Sequence, residues 1–288
     1  MKQVTYLTII AVLALVSLAC GLTINLPVDQ VTTGPTRTEE INIPAPNAGE
    51  VDLTLSFGAG DFKLEDGAGA TLVSGTASYN VDDFKPEIIV EGNSVRLESG
   101  DLKIEGIPSI DDKIENEWDL ELGNQLMNLE INAGAYQGEF DLGGLSLKTL
   151  KVSDGAADVR LKFSKPNLVE MESFQYQTGA SNVRLTGLAN ANFASMVFRG
   201  GAGDYTLDFS GQLQRDAEIA IESGISQVTI VVPEGVSAQV NFEGGLSNVE
   251  THGQWQKSGD NYVLNGSGPA LTISVDMGAG NLVLRTIQ

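Results

Sequence analysis

A short glycine motif recurs along most of this 288-residue sequence and constrains its fold more than any other feature. The motif is Gly, two small residues, Asp or Asn, and then an apolar–any–apolar triplet. The clearest copies begin at Gly58, Gly155, Gly179, Gly201 and Gly278, with Asp61, Asp158, Asn182, Asp204 and Asn281 in the polar position. Weaker copies begin at Gly224 and Gly245, and a stretched copy with two additional residues occupies residues 134–142. Recurrence of one pattern is the signature of a repeat protein.

The residue types of the motif suit a tight turn. Glycine adopts positive φ without steric cost, and we expect such a φ at Gly201. Asp and Asn tolerate the left-handed region and bond to their own backbone. If the turns stack, the Asp and Asn residues, with Asn248 among them, form a row. Their mixture favours a structural role over a row of cation or sugar ligands.

The spacing of the copies predicts stacked β-structure. Gly155, Gly179, Gly201, Gly224 and Gly245 are separated by 24, 22, 23 and 21 residues. Flanking segments such as residues 228–232 follow strand periodicity. We predict an all-β, repeat-built parallel β-solenoid in which each coil lies on the previous one. An antiparallel β-sandwich or meander is the alternative. The longer interval before Gly278 leaves an insertion near residues 254–265.

The N-terminus predicts export and lipid attachment. Residues 1–19 have one Lys and a short apolar stretch, as in a signal peptide. The only cysteine, Cys20, follows Ala19 directly, which resembles the lipidation site of bacterial lipoproteins. Residues 20–48 are rich in Pro and Thr and are typical of a tether. We therefore expect a protein of the bacterial cell envelope, lipid-anchored to the outer face of a membrane.

Charge and composition exclude several functions. Lys and Arg number 17 against 38 Asp and Glu, a net charge of −21, which disfavours nucleic-acid binding. One His and one Cys rule out multi-histidine and thiolate metal cages, and we predict no metal, no cofactor and no catalytic residue. The acidic segment 111–121 is interpreted as a solvated loop. Trp118 and Trp255 are assigned to packing, and His252 to the surface.

Three segments resemble a known family. Residues 72–80 and 85–88, with Asn-Glu-Trp-Asp-Leu at 116–120, resemble the N-terminal module of the toast rack family. Residues from about 126 to the end are similar to the β-repeat module of LiaF-like and adhesin-like proteins. The resemblance implies a toast-rack module over 49–125 and a LiaF-like, adhesin-like module over 126–288, continuous with it, in an envelope protein. It supplies no catalytic residues. LiaF-like proteins carry transmembrane helices ahead of this module, so their role in antibiotic sensing is not carried over.

These features together favour a non-catalytic function. The apolar motif positions are filled by Val, Ile, Leu and Phe, so we expect an interior without a polar site. We predict an envelope lipoprotein acting as a scaffold, adhesin-like or partner-binding module. Its partner would be an envelope polysaccharide or a protein, and its oligomeric state is left open. The alternative is a polysaccharide-active enzyme built on a β-helix.

Overall fold

Fifteen strands account for most of the regular structure. The computed structural model describes residues 33–47, 49–99 and 114–288, all within one compact unit. The strands are β1 (Arg37–Pro44), β2 (Val51–Gly69), β3 (Thr71–Tyr79), β4 (Pro86–Glu91), β5 (Ser94–Ser99), β6 (Asn116–Gly123), β7 (Leu126–Asp141), β8 (Ser146–Lys162), β9 (Met171–Thr186), β10 (Phe193–Asp208), β11 (Ala217–Pro233), β12 (Ser237–His252), β13 (Gln256–Ser258), β14 (Asn261–Leu264) and β15 (Ala270–Ile287). Two short 3₁₀ helices span Asp82–Phe84 and Leu188–Ala191. No helix in these ranges has the length and apolar content needed to cross a bilayer.

Each long strand folds over at its motif glycine. In β8, Leu150 and Val152 are buried before Gly155, and Val159 and Leu161 are buried after it. Side chains alternate along a strand, so the odd interval between Val152 and Val159 moves burial to the other face. Both pairs belong to the same core, and the strand must therefore bend at the glycine. The two halves of the strand face each other across that core.

The bent strands stack in parallel. β2, β7, β8, β9, β10 and β11 follow one another in register, each pairing with the next along most of its length. Adjacent strands lie about 4.8 Å apart, so equivalent residues of successive coils form rows. The predicted parallel β-solenoid is confirmed. Parallel pairing rules out an antiparallel meander for these strands.

The stacking order departs from chain order at the C-terminus. β15 pairs with both β11 and β12 and lies between them. The expectation that every coil lies on the previous one is therefore wrong here. The 33-residue interval before Gly278 holds the rest of β12 and the β13–β14 hairpin before the chain returns to pair with β11. The hairpin lies within the predicted insertion.

Five further strands extend the stack at the N-terminal end, where β5 and β6 pair parallel with β2 and the other three pair antiparallel. β5 and β6 flank the two halves of β2, with β4 beside β5 and β3 and β1 beyond β6. Two sequence interpretations change here. Residues 37–44, inside the expected tether, form β1 because Ile41 and Ile43 alternate into the core. Part of the expected acidic loop forms β6, since Trp118 and Leu120 are inward and fully buried.

Aromatic residues pack the core beside β6, as expected for Trp118. The ring centroids of Phe57 and Phe62 lie 5.1 and 5.4 Å from that of Trp118. The Phe140 centroid lies 5.1 Å from that of Phe62. Edge-to-face contacts of this kind stabilise aromatic clusters beyond simple burial. β6 is therefore anchored by its inward side chains, while its carboxylates face outward.

Candidate functional site

The corner glycines form a continuous ladder through the stack. A Cβ built on Gly179 would lie 2.5 Å from the carbonyl oxygen of Gly155, and one on Gly201 would lie 2.5 Å from that of Gly179. The same contact recurs for Gly224 against Gly201 at 2.6 Å. Real Cβ atoms do not approach backbone this closely, so these three corners require glycine for their packing. Positive φ is not the reason at Gly201, which corrects the sequence-based expectation.

Positive φ occurs two residues later in three of the corners. Gly60, Gly203 and Gly280 have φ of +128°, +156° and +134°. A Cβ at Gly203 or Gly280 would approach the neighbouring coil's carbonyl oxygen to 1.8 Å. Other coils place a serine there, such as Ser181 and Ser226, and both serines are buried. The third motif position is therefore structurally demanding as well.

The Asp and Asn residues of the motif lie in one register row on the outer face. Pairing connects Asp61, Asp158, Asn182, Asp204, Asn281 and Asn248 through Gln137 and Gln227. Gln227 Nε2 donates to Asp204 Oδ2 at 3.2 Å. The supposed stretched copy has no extra residues, because Gln137 takes the Asp position directly. Within the described ranges, no group of three or more potential His, Cys, Asp or Glu ligands could hold a metal ion.

A groove of about 490 Å³ lies on the outer face near the C-terminal end of the stack. Ala220 and Ser274, on the first halves of β11 and β15, contribute small side chains to its lining. The β13–β14 hairpin lines it with Ser258, Asp260 and Asn261. The predicted insertion therefore forms part of the lining of this groove.

A row of carboxylates lines this groove. Glu222, Asp276 and Glu243 occupy the same register position on β11, β15 and β12. Arg199 on β10 continues the row, and its Nε lies 3.0 Å from Glu222 Oε2. Asp276 and Glu243 form no ion pair within the described residues. Carboxylate oxygens can accept hydrogen bonds from hydroxyl or cationic groups of a ligand.

A polar cluster interrupts the apolar interior near the corners of β8 and β9. The Tyr176 hydroxyl donates to Asp154 Oδ2 at 2.7 Å, and the Thr178 hydroxyl donates to the same carboxylate. Burial raises the pKa of Asp154, while the hydrogen bonds from Thr178 and Tyr176 oppose the rise. Tyr205 lies close by, and burial raises its pKa to about 12. The expectation of an interior without polar groups is wrong at this point.

Sequence reasoning missed the Asp154 cluster for an identifiable reason. Asp154 directly precedes Gly155, and Thr178 directly precedes Gly179, so both are one place ahead of the repeated motif. The repeated motif begins at its glycine, so the position before it carries no recurring pattern to indicate a site. Only the register of β8 and β9 brings the two side chains together.

The remaining predicted residues are dispersed. Trp255 is partly buried against the core, and His252 is exposed at the end of β12. They form no site with the carboxylate groove. Cys20, the signal segment 1–19 and residues 111–113 of the acidic segment lie outside the described residues.

Solved structures from several bacteria match the chain over most of its length. A protein proposed to act in cell adhesion, from Clostridium sporogenes, shares 19% identity over 88% of this chain and 100% of its own, with a TM-score of 0.49. Proposed adhesins from Bacteroides fragilis and Parabacteroides merdae share 11% and 8% identity over 90% of this chain and 100% of theirs, with TM-scores of 0.44 and 0.39. No curated protein matches the sequence significantly. At this level of similarity, none of these proteins assigns an activity to the chain.

The family assignment comes from the sequence itself. Residues 32–173 match the family model for the N-terminal domain of toast_rack. The match begins just before β1 and ends inside β9, so it includes the N-terminal antiparallel strands and the first bent coils. The resemblance seen in residues 72–80 and 116–120 is thereby confirmed. Residues 32–173, just under half of the chain, are therefore similar to the toast rack family.

Proposed function

We propose that this protein is a non-catalytic, lipid-anchored binding module of the bacterial cell envelope. The single observation that carries the proposal is the location of its concave polar surface. The 490 Å³ groove lies on the outer face of the stack, where Glu222, Asp276 and Glu243 are all exposed to solvent. Catalytic groups are usually desolvated and have perturbed pKa values, whereas exposed carboxylates over small side chains suit reversible binding.

The N-terminal sequence supports the location. Cys20 after a short apolar segment would carry the lipid, and the residues up to β1 would separate the stack from the membrane. The partner class that fits the groove is an envelope polysaccharide or a polar protein segment, because carboxylates and amides bond to hydroxyl and amine groups.

One experiment tests location. Cells producing the wild type and Cys20→Ser should be fractionated, and the N-terminal mass of the processed chain determined. We expect a lipid-modified wild type in the membrane fraction and an uncleaved or released variant. A Cys20→Ser protein that is still processed and acylated would contradict the proposal.

A second experiment tests binding. The wild type, Asp276→Asn and a control, Asp158→Asn, should be titrated with purified envelope polysaccharides by calorimetry. Asp158 is the control because it is an exposed aspartate on the outer face, outside the groove. We expect Asp276→Asn to weaken binding and Asp158→Asn to leave it unchanged. Equal affinity for all three proteins would show that the groove is not the binding site.

The carboxylate row favours a second candidate function, polysaccharide hydrolysis. Glycosidases use two carboxylates about 5–9.5 Å apart, and neighbouring members of this row are about 4.8 Å apart at their backbones. The same polysaccharides should be assayed for new reducing ends with the wild type, Glu222→Gln and Glu243→Gln. Turnover abolished by either substitution would establish the enzyme and overturn the non-catalytic proposal.

A further inference from the structure

Within residues 33–47, 49–99 and 114–288, one end of the stack has an uncovered sheet edge. The two halves of the bent strands form two facing sheet regions with four ends in all. On the described residues, β5 and β4 extend one N-terminal end, and β6, β3 and β1 extend the other. At the C-terminal end, β14 pairs with residues 238–241 of β12, and β13 follows. Among the residues that the structure describes, the second half of β12, residues 244–252, pairs only with β15.

This edge also leaves part of the core uncovered. Val249 on β12 occupies the row of Leu282 on β15, which is fully buried, but Val249 is only half-buried. An additional strand beside β12 would complete its burial. Natural sheets usually block such edges with Pro, Lys or a covering segment. Residues 244–252 contain neither Pro nor Lys.

An apolar ridge runs up to the same edge. The second motif position is alanine in β8, β9 and β10, but it is Ile225 in β11 and Leu246 in β12, with Ala279 between them. Ile225 is 72% exposed and Leu246 is 86% exposed. Exposed apolar residues that form a contiguous patch mark interaction surfaces. Leu246 belongs both to this ridge and to the open edge.

The second halves of β11, β12 and β15 are almost uncharged, although the chain carries −21. Residues 223–232, 244–252 and 277–285 contain one carboxylate, Glu250, and one guanidinium, Arg285. His252 lies beside Arg285 in register. Depletion of charged residues is typical of interface cores. A second copy of the same acidic chain can approach here without strong repulsion.

β4 is the other edge with exposed apolar residues, and it is better protected. Ile88 and Val90 are 46% and 57% exposed. Pro86, Glu87 and Glu91 surround them, and proline and like charges oppose strand addition. β4 therefore serves as an internal comparison for β12.

We propose that residues 244–252 of β12 pair antiparallel with the same segment of a second copy, about a two-fold axis. Self-pairing of one segment is the isologous contact expected of a symmetric dimer. A register with Val249 of each copy opposite Val249 of the other pairs residues 246–252 of the two copies and covers both half-buried valines. It puts Leu246 opposite His252 of the other copy, with Arg285 one strand away. This proposal does not depend on the groove or on the proposed function.

The test is the association state of the full chain, measured by sedimentation velocity over a wide concentration range. We expect a reversible monomer–dimer equilibrium for the wild type. Leu246→Lys should raise the dimer dissociation constant by about tenfold or more, because it places a charge on the paired edge. The matched control is Leu168→Lys, the same substitution at a residue 64% exposed in the β8–β9 connection. It should dimerise as the wild type does.

Amide hydrogen exchange provides an independent readout. As the wild-type dimer forms, exchange should slow in residues 244–252 and stay unchanged in residues 86–91. A wild type that remains monomeric at every concentration would overturn the proposal. Dimerisation of Leu246→Lys with wild-type affinity, or protection of residues 86–91 instead of 244–252, would also overturn it.

Discussion

At the scale of single residues, the corner glycines are set by contact with the neighbouring coil. Gly201→Ala would place a methyl group 2.5 Å from the carbonyl oxygen of Gly179. The flanking coils are paired on both sides, so they cannot move apart locally. We expect a loss of about 1–3 kcal/mol in the free energy of unfolding, as for other overpacked sites, measured by urea denaturation.

The control for this prediction is another glycine with free space. Gly49→Ala meets nothing within 4 Å, and surface substitutions of this kind usually change stability by about 0.5 kcal/mol or less. A Gly201→Ala protein as stable as Gly49→Ala would show that the ladder contacts are not tight.

The buried Asp154 should make stability depend on pH in a defined direction. Burial raises the pKa of this carboxyl, so the folded protein holds the proton more tightly than the unfolded chain. The stability that this group contributes is complete below its unfolded pKa of about 3.9. It is lost as the pH rises through the folded value.

The measurement compares urea unfolding of the wild type and Asp154→Asn between acid and neutral pH. The wild-type free energy of unfolding, minus that of Asp154→Asn, should fall as the pH rises through this range. Asp158→Asn, on the exposed outer face, controls for the loss of one negative charge. A difference that increases with pH would mean that the cluster stabilises the charged carboxylate.

At the scale of one strand, side chains on the inner face of β10 should contribute far more to the free energy of unfolding than those on its outer face. Phe198 is fully buried, with ring centroids 5.5 Å from Tyr176 and 5.0 Å from Tyr205. Its neighbour Arg199 forms an ion pair with Glu222 in which both side chains are 51% exposed. Phe198→Ala should cost about 3–5 kcal/mol of unfolding free energy, and Arg199→Ala less than about 1 kcal/mol.

Thermal and urea unfolding of the two variants check this contrast within one strand. Because the residues are adjacent in sequence, backbone effects of the substitution are similar. Equal losses would indicate that the outer ion pairs contribute as much to the stack as its core does.

Sequence patterns predicted an element correctly where the pattern lies within a few neighbouring residues. Alternation in residues 228–232 is local, and it correctly indicated a strand. The positive φ expected at Gly201 is not adopted, because contact with the neighbouring coil, and not turn geometry, requires that glycine. Trp118 and Leu120 also alternate, but the carboxylates around them favoured a solvated loop, and β6 was not predicted. Ile41 and Ile43 alternate in the same way, but the prolines near them favoured a tether, and β1 was not predicted.

At the scale of the whole molecule, strand order could not be deduced from local patterns. The motif copies at Gly245 and Gly278 are similar, and neither copy indicates which of the two strands pairs with the strand that contains Gly224. One signal was present: the position that holds a buried apolar residue in the other coils, such as Leu284 in β15, holds Thr251 in β12, as suits a terminal coil. The groove depends on this order, because Asp276 of β15 lies between Glu222 and Glu243.

Disulfide trapping tests the strand order that the groove and the open edge both require. Gln227 and Asn281 are in-register neighbours, whereas Gln227 and Asn248 have β15 between them. Neighbouring strands are about 4.8 Å apart, within the Cα separation of about 4.4–6.8 Å that a disulfide spans, and two strands exceed it. In a Cys20→Ser background, we predict that Gln227→Cys with Asn281→Cys closes on mild oxidation. Gln227→Cys with Asn248→Cys should remain reduced, and closure of that second pair within a monomer would contradict the account.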